Sequence, residues 1–159
     1  RYFNPAGCHG SGLIGEDSLT SSKNLFPLIV KTGLRRQSHL SIFGKDWPTP
    51  DGTCIRDYIH VTDLAKAHTA SLEFLETNKP QIIFLNIGTG KGHSVLEVVQ
   101  TFMKVNSIKI PYTFKDRREG DHYYAVANNK LALSLLNWKP IKNLEDMCRD
   151  SWNYVMNKN

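Results

Sequence analysis

Two segments of this chain concentrate side chains suited to holding a polyanion. Asp51-Gly52-Thr53-Cys54-Ile55-Arg56-Asp57-Tyr58-Ile59-His60-Val61 sets Arg56 just after a flexible turn, and Lys115-Asp116-Arg117-Arg118-Glu119-Gly120-Asp121 sets an arginine pair beside a glycine and two acids. A planar guanidinium donates two parallel hydrogen bonds to phosphate oxygens. Arginines drawn from two distant segments could clamp a diphosphate, with Asp121 accepting from a ribose or sugar hydroxyl. The same residues also allow a plainer reading, surface ion pairs of Arg56 with Asp57 or of Arg118 with Glu119.

A third segment, Ile87-Gly88-Thr89-Gly90-Lys91-Gly92-His93-Ser94, has the outline of a phosphate cradle: apolar residues, three glycines, a lysine, then a helix start. It fails both fingerprints. A dinucleotide loop needs Gly-x-Gly-x-x-Gly with an acid roughly 20 residues on, whereas here the pattern is Gly88-x-Gly90-x-Gly92 and Ile108 to Ile110 offers no acid. A P-loop needs Ser or Thr directly after its lysine, and Lys91 is followed by Gly92. The expectation is a tight turn in which glycine permits positive φ, at most a wall of a ligand site.

The elements that must position these residues follow from hydrophobic spacing. Tyr2 to Asn4 reads as a strand end before Pro5, and Pro5 to Ser22 as a long Gly- and Ser-rich loop. Leu25, Leu28, Ile29 and Thr32 give helical spacing over 24–36, with Pro27 harmless in the first turn. Leu40 to Phe43 and Tyr58 to Val61 are expected strands flanking a turn-rich stretch, 44–52. Thr62 is expected to cap a helix whose inner face is Leu64, Ala67, Ser71, Leu72 and Leu75. Ile82 to Ile87 is apolar on both faces, as in a strand buried in a parallel sheet. Ser94 and Glu97 predict a capping box for a helix with Val95, Val98, Val99, Phe102 and Val105 inward. A strand at 111–114 and helices at 129–136 and 144–156 complete an α/β chain.

Composition narrows the function. With 40% hydrophobic and 22% charged residues in 159, the chain has the balance of one ordinary globular domain. A formal net charge of +5 is spread among acids rather than gathered in a stripe, which argues against a nucleic-acid partner. Cys8, Cys54 and Cys148 are widely spaced and lack metal spacing, so free thiols and no metal are expected. Apolar runs such as Ile82 to Leu85 are too short to cross a bilayer and no charged-then-apolar leader opens the chain, so a cytoplasmic location is expected. The opening Arg1-Tyr2-Phe3, without Met, and the shortage of strands beside 82–87 suggest a missing N-terminal part.

The stretches RYFNPAG, FGKDWPTPDGTCIRDYIHVTDLAKAH and RREGD together resemble the C-terminal half of the UDP-glucose 4-epimerases, members of the extended short-chain dehydrogenase/reductase family. The likeness runs from Arg1 to about Trp152, in matching order and spacing. It implies the substrate-binding part of an extended Rossmann-type fold over residues 1–159, with the N-terminal NAD-binding core absent. It also implies NAD-dependent interconversion of UDP-galactose and UDP-glucose through a 4-keto sugar, and a homodimer when complete. In the family the NAD cradle and the catalytic Tyr-x-x-x-Lys lie in the other half, so no catalytic residue is expected in this chain. Tyr2 is not that tyrosine, since Ala6 stands four residues on.

By that resemblance Tyr2 and Phe3 match positions lining the nicotinamide, and Asn4 one that bonds the diphosphate or sugar. Asn24 and Leu25 match uridine diphosphate contacts, Ser41, Ile42 and Phe43 the segment along the uracil, Arg56 a diphosphate-binding arginine, and Arg118 and Asp121 phosphate and ribose contacts. Ala125 stands where relatives carry a large Tyr or a small residue, which implies room for UDP-N-acetyl sugars beside UDP-glucose and UDP-galactose. Tyr123 and Tyr124 are near enough to compete for that space. Lys23 and Trp47 depart from the usual Asn and Tyr and are expected surface changes. The rival readings are a non-catalytic UDP-sugar-binding module and a portion of a related sugar-nucleotide dehydratase.

Overall fold

The computed structural model describes residues 1–16 and 24–158. Lys23 and residues 17–22 of the expected loop lie outside the described residues. The element order is β1 (Asn4–Ala6), α1 (Leu25–Gly33), β2 (Leu40–Phe43), β3 (Ile55–His60), α2 (Val61–Thr77), β4 (Gly92–Ser94), α3 (Val95–Asn106), β5 (Tyr112–Lys115), β6 (Tyr124–Ala125), α4 (Lys130–Leu135) and α5 (Leu144–Lys158). This is the expected mixed α/β chain.

Strand β3 organises the molecule. It pairs in parallel with β1 and with β6 and antiparallel with β4, while β2 and β5 form a separate parallel pair. Successive strand residues point to opposite faces, and β3 uses this to divide two cores. Tyr58 joins the larger, with Phe26, Ile29 and Val30 of α1, Val98, Val99 and Phe102 of α3, and Met147, Cys148 and Tyr154 of α5. Edge-on rings join Tyr58 to Phe26 (5.9 Å), Phe26 to Phe102 (6.4 Å) and Phe102 to Trp152 (6.0 Å). Ile59 turns the other way, to Ala67, Ile87, Ala132, Leu136 and Trp138.

Local chemistry sets the ends of the elements. The capping box at α3 forms as expected, with Ser94 Oγ accepting from Glu97 N and the Glu97 carboxylate accepting from Ser94 N. Asp51 locks the Asp-Gly-Thr turn that launches β3. Its carboxylate accepts from Thr53 N (2.9 Å), Thr53 Oγ1 (2.8 Å) and Ser94 Oγ, and Thr53 Oγ1 accepts in turn from Leu96 N (3.1 Å). Arg56 thus leaves a turn tied to the start of α3.

Four expectations need correction. Strand β3 begins at Ile55 rather than Tyr58, because β4 and β6 both pair with its first residues. The cap of α2 is His60, whose Nδ1 accepts from Thr62 N (3.1 Å), so the helix starts one residue before Thr62. Leu72 and Leu75 of α2 are exposed, and Ala67 with the half-buried Leu64, Ala70 and Phe74 forms its packed face. Residues 82–86 form no strand: only Ile87 bridges, to Tyr2, and Ile82 and Phe84 stay 87% and 70% exposed. An apolar run becomes a buried strand only when both edges find partners. Among the described residues the backbone of this one pairs only with 1–3, through Phe3 N to Ile87 O (3.1 Å) and Ile87 N to Arg1 O (2.7 Å). No helix among the described residues is long and apolar enough to cross a membrane.

Candidate functional site

The two arginine-bearing segments, far apart in sequence, meet. Arg56 Nη2 donates to Asp121 Oδ1 at 2.8 Å, and its Nη1 donates to Ile55 O at 3.0 Å. The pair stays in reach of solvent, with side chains 17% and 31% exposed. Gly120, at φ +77°, turns the chain so that Asp121 N donates to Arg118 O (3.2 Å). The Arg118 guanidinium lies 3.7 Å above the Phe43 ring, a cation–π stack that joins this turn to the end of β2. Arg56, Arg118, Asp121 and Phe43 therefore converge from three segments of the chain.

Register carries further residues to the same side. Ala125 pairs with Arg56 across β6 and β3, and Asn4 pairs with Tyr58, two residues along from Arg56. Paired residues share a face, so Asn4, Arg56 and Ala125 look one way. The Phe26–Tyr58 contact brings the first turn of α1, with Asn24 as cap and Leu25 as first residue, over that face. Ser41 and Phe43 alternate away from the core and are half-buried. Ile42 does the opposite: at 1% exposure its side chain belongs to the core. Tyr2 and Phe3 sit at the bridge to Ile87, with Tyr2 exposed.

Three further placements bear on the sequence reading. Asp121, expected to meet a hydroxyl, spends one oxygen on Arg56 and keeps Oδ2 for another donor. Trp47 is no surface change, since it is half-buried beneath the Arg117 guanidinium at 3.9 Å. Tyr124 does not share Ala125's face: adjacent strand residues alternate, and its ring reaches toward Gly92 instead.

The glycine loop has a resident of its own. Asp57, fully buried on the face of β3 opposite Arg56, accepts from Thr89 N (2.8 Å), Thr89 Oγ1 (2.7 Å), Gly90 N (2.9 Å) and Ala127 N (3.2 Å). Gly90 takes φ +73° to aim its N–H inward, and a side chain on Gly88 would lie 2.7 Å from Asp57 Oδ2. These N–H groups do face an anion, but it is the protein's own carboxylate. The sequence missed this; the signal was an acid on the same strand face as Ile55 and Ile59.

His60 and the three cysteines are buried in the fold. His60 Nδ1 accepts from Thr62, so Nε2 carries the proton and donates to Asp150 (3.1 Å). Burial holds the imidazole below its ordinary range, against the pull of Asp150. Cys8, Cys54 and Cys148 are buried free thiols, and burial pushes Cys148 up to about 12, which disfavours the thiolate.

Residues 1–88, more than half of the chain, match the model of the NAD dependent epimerase/dehydratase family. The chain belongs to this family. It is 47% identical over 154 residues to a UDP-glucose 4-epimerase of Dictyostelium discoideum, which covers 97% of this chain and 45% of that protein. A UDP-glucose 4-epimerase structure from Stenotrophomonas maltophila with bound NAD and formylated UDP-arabinopyranose superposes with a TM-score of 0.94 at 44% identity, over 99% of this chain and 47% of that one. One from Bifidobacterium longum in complex with NAD+ and UDP gives 0.93 at 41%, over 99% and 46%. The chain thus spans about half the length of these relatives, and its α/β architecture is theirs.

Proposed function

We propose that this chain is the UDP-sugar-binding half of a UDP-glucose 4-epimerase. The observation that carries the reading is the convergence of Arg56, Arg118, Asp121 and Phe43 from three segments on one side of β3, in a chain similar to epimerases solved with UDP or a UDP-sugar. Arg56 and Arg118 grip the diphosphate, and Asp121 holds Arg56 while its second oxygen accepts from the ribose. Ser41 and Phe43 flank the uracil. Asn4 bonds the diphosphate or sugar, and the start of α1 at Asn24 and Leu25 turns the positive end of the helix toward phosphate.

In this reading NAD is held mainly outside this chain. The glycine loop, whose backbone suits a pyrophosphate best, is filled by Asp57. Exposed Tyr2, with Phe3, is left to cover one edge of a cofactor held elsewhere. The chain's own contribution is therefore to bind and orient the UDP-hexose, and no redox step is assigned to it.

Calorimetric titration with UDP tests this. Binding should weaken about tenfold or more in Arg56→Ala and in Arg118→Ala, the loss of a charged hydrogen-bond partner being worth about 1.5–3 kcal/mol. The chain mixed with UDP-galactose and NAD should form no UDP-glucose. Epimerisation by these 159 residues, or UDP affinity untouched by both substitutions, would overturn the reading. The small side chain of Ala125 beside Arg56, with Tyr124 turned away, supports acceptance of UDP-N-acetyl sugars. UDP-N-acetylglucosamine and UDP-glucose should then bind this chain within about a factor of ten, and binding of UDP-glucose alone would contradict it.

A further inference from the structure

The two arginines of the Arg117-Arg118 pair part company. Arg118 lies over Phe43, while Arg117 turns to the loop that follows β2. Its Nε donates to Asp46 Oδ1 (2.9 Å), its Nη2 donates to Asp46 O (2.8 Å), and its guanidinium covers Trp47 at 3.9 Å. The loop on the far side is built to receive it. Gly44, at φ +78°, donates its N–H to Lys115 O (2.8 Å), and any side chain there would lie 2.3 Å from Trp47 Nε1 and 3.3 Å from Arg117 Cγ. Trp47 N donates to Gly52 O (3.0 Å), which ties the loop back to the Asp51 turn in front of Arg56.

We propose that Arg117 is a positioning residue: its clasp on Asp46 and Trp47 fixes the turn after β5, and thereby holds Arg118 above Phe43 and Asp121 against Arg56. The inference rests on the reading of that side as the diphosphate site. The Nε–Nη2 edge of Arg117 is spent on Asp46 and one face on Trp47, so the role assigned to it is to hold the turn. The clasp is not chiefly a stability device. The Arg117–Asp46 pair is 42% and 67% exposed, and ion pairs so placed add little to folding. Its effect is to remove freedom from a glycine-containing turn that carries two ligand-facing side chains.

The test measures UDP affinity by calorimetry, and amide exchange over residues 117–121 without UDP, in the 159-residue chain and in Arg117→Ala, Arg117→Lys, Arg118→Ala and Arg117→Ala/Arg118→Ala. Arg117→Ala should weaken UDP about fivefold or more, and Arg117→Lys should recover little of it, since lysine supplies the charge without the planar fork. In the Arg118→Ala background the same change should cost less than about twofold, the signature of one residue acting through another. Amide exchange at 118–121 should quicken in Arg117→Ala. Wild-type affinity in Arg117→Ala, full rescue by lysine, or additive losses in the double variant would overturn the proposal. If the unmodified chain binds no UDP, the site reading falls on its own account. Unchanged exchange in Arg117→Ala would overturn the clasp whatever UDP does.

Discussion

Arg56 and Asp57 are neighbours in β3, yet they serve opposite kinds of region. On the Asp57 face a glycine loop presents N–H groups in the manner of a phosphate cradle, and four hydrogen bonds from Thr89, Gly90 and Ala127 already end on the buried carboxylate. On the Arg56 face the guanidinium is held by one partly exposed carboxylate, and a second arginine rests on an aromatic ring at the surface. The first region is closed by charge from within. The second keeps cationic donors available to a solute. A loop's outline in sequence therefore says that an anion is faced, not whose anion it is.

The largest effect should come from emptying the closed region. Asp57→Ala leaves buried N–H groups unpaired and should cost on the order of 3–5 kcal/mol in urea unfolding. Asp57→Asn, which keeps the shape and one acceptor, should cost less but well above 1 kcal/mol. A loss below about 1 kcal/mol in both would mean that the loop holds itself without the carboxylate. Next comes Gly90→Ala, which forces a side chain onto φ +73° and toward Asn129 Oδ1 at 3.1 Å. About 1 kcal/mol of stability should go, by thermal unfolding, with UDP affinity unchanged. A drop in UDP affinity would break the contrast, because the glycine loop would then belong to the ligand.

The smallest effect lies in pH. The His60 imidazole, facing Asp150 with Lys142 and Asp63 nearby, is held below its ordinary range by burial. As pH falls below about 6.5 the unfolded chain takes up this proton before the folded one does. Stability from this group is thus whole above that pH and declines as pH drops through the window beneath it. His60→Gln should flatten that part of the profile in urea unfolding, and an unaltered slope would assign it to other groups.

Much of this was legible in the sequence, for reasons that differ by residue. The capping box at Ser94 and Glu97, the strand Leu40 to Phe43 and the helices at 24–36 and 144–156 were readable because cap chemistry and apolar spacing act locally. The motifs RYFNPAG, RREGD and the long Asp51-Gly52 stretch marked the residues that the fold gathers beside β3. What could not be read depends on contacts distant in the chain. Asp57 meets the glycine loop 32 and 33 residues on, and Arg56 meets Asp121 65 residues on. Residues 82–86 looked like a strand because apolarity predicts burial but not the partners that a ladder needs. Trp47 looked like surface because nothing in its neighbourhood announced Arg117.

Amide chemical shifts of the ¹⁵N-labelled chain, titrated with UDP, decide between the two faces of β3. Perturbations should appear at Phe43, Arg56 and Arg118 to Asp121, saturating together, with Gly88 to Gly92 unmoved. Saturable shifts centred on Gly88 to Gly92, with the arginine segments silent, would contradict the Arg56 face as the UDP site.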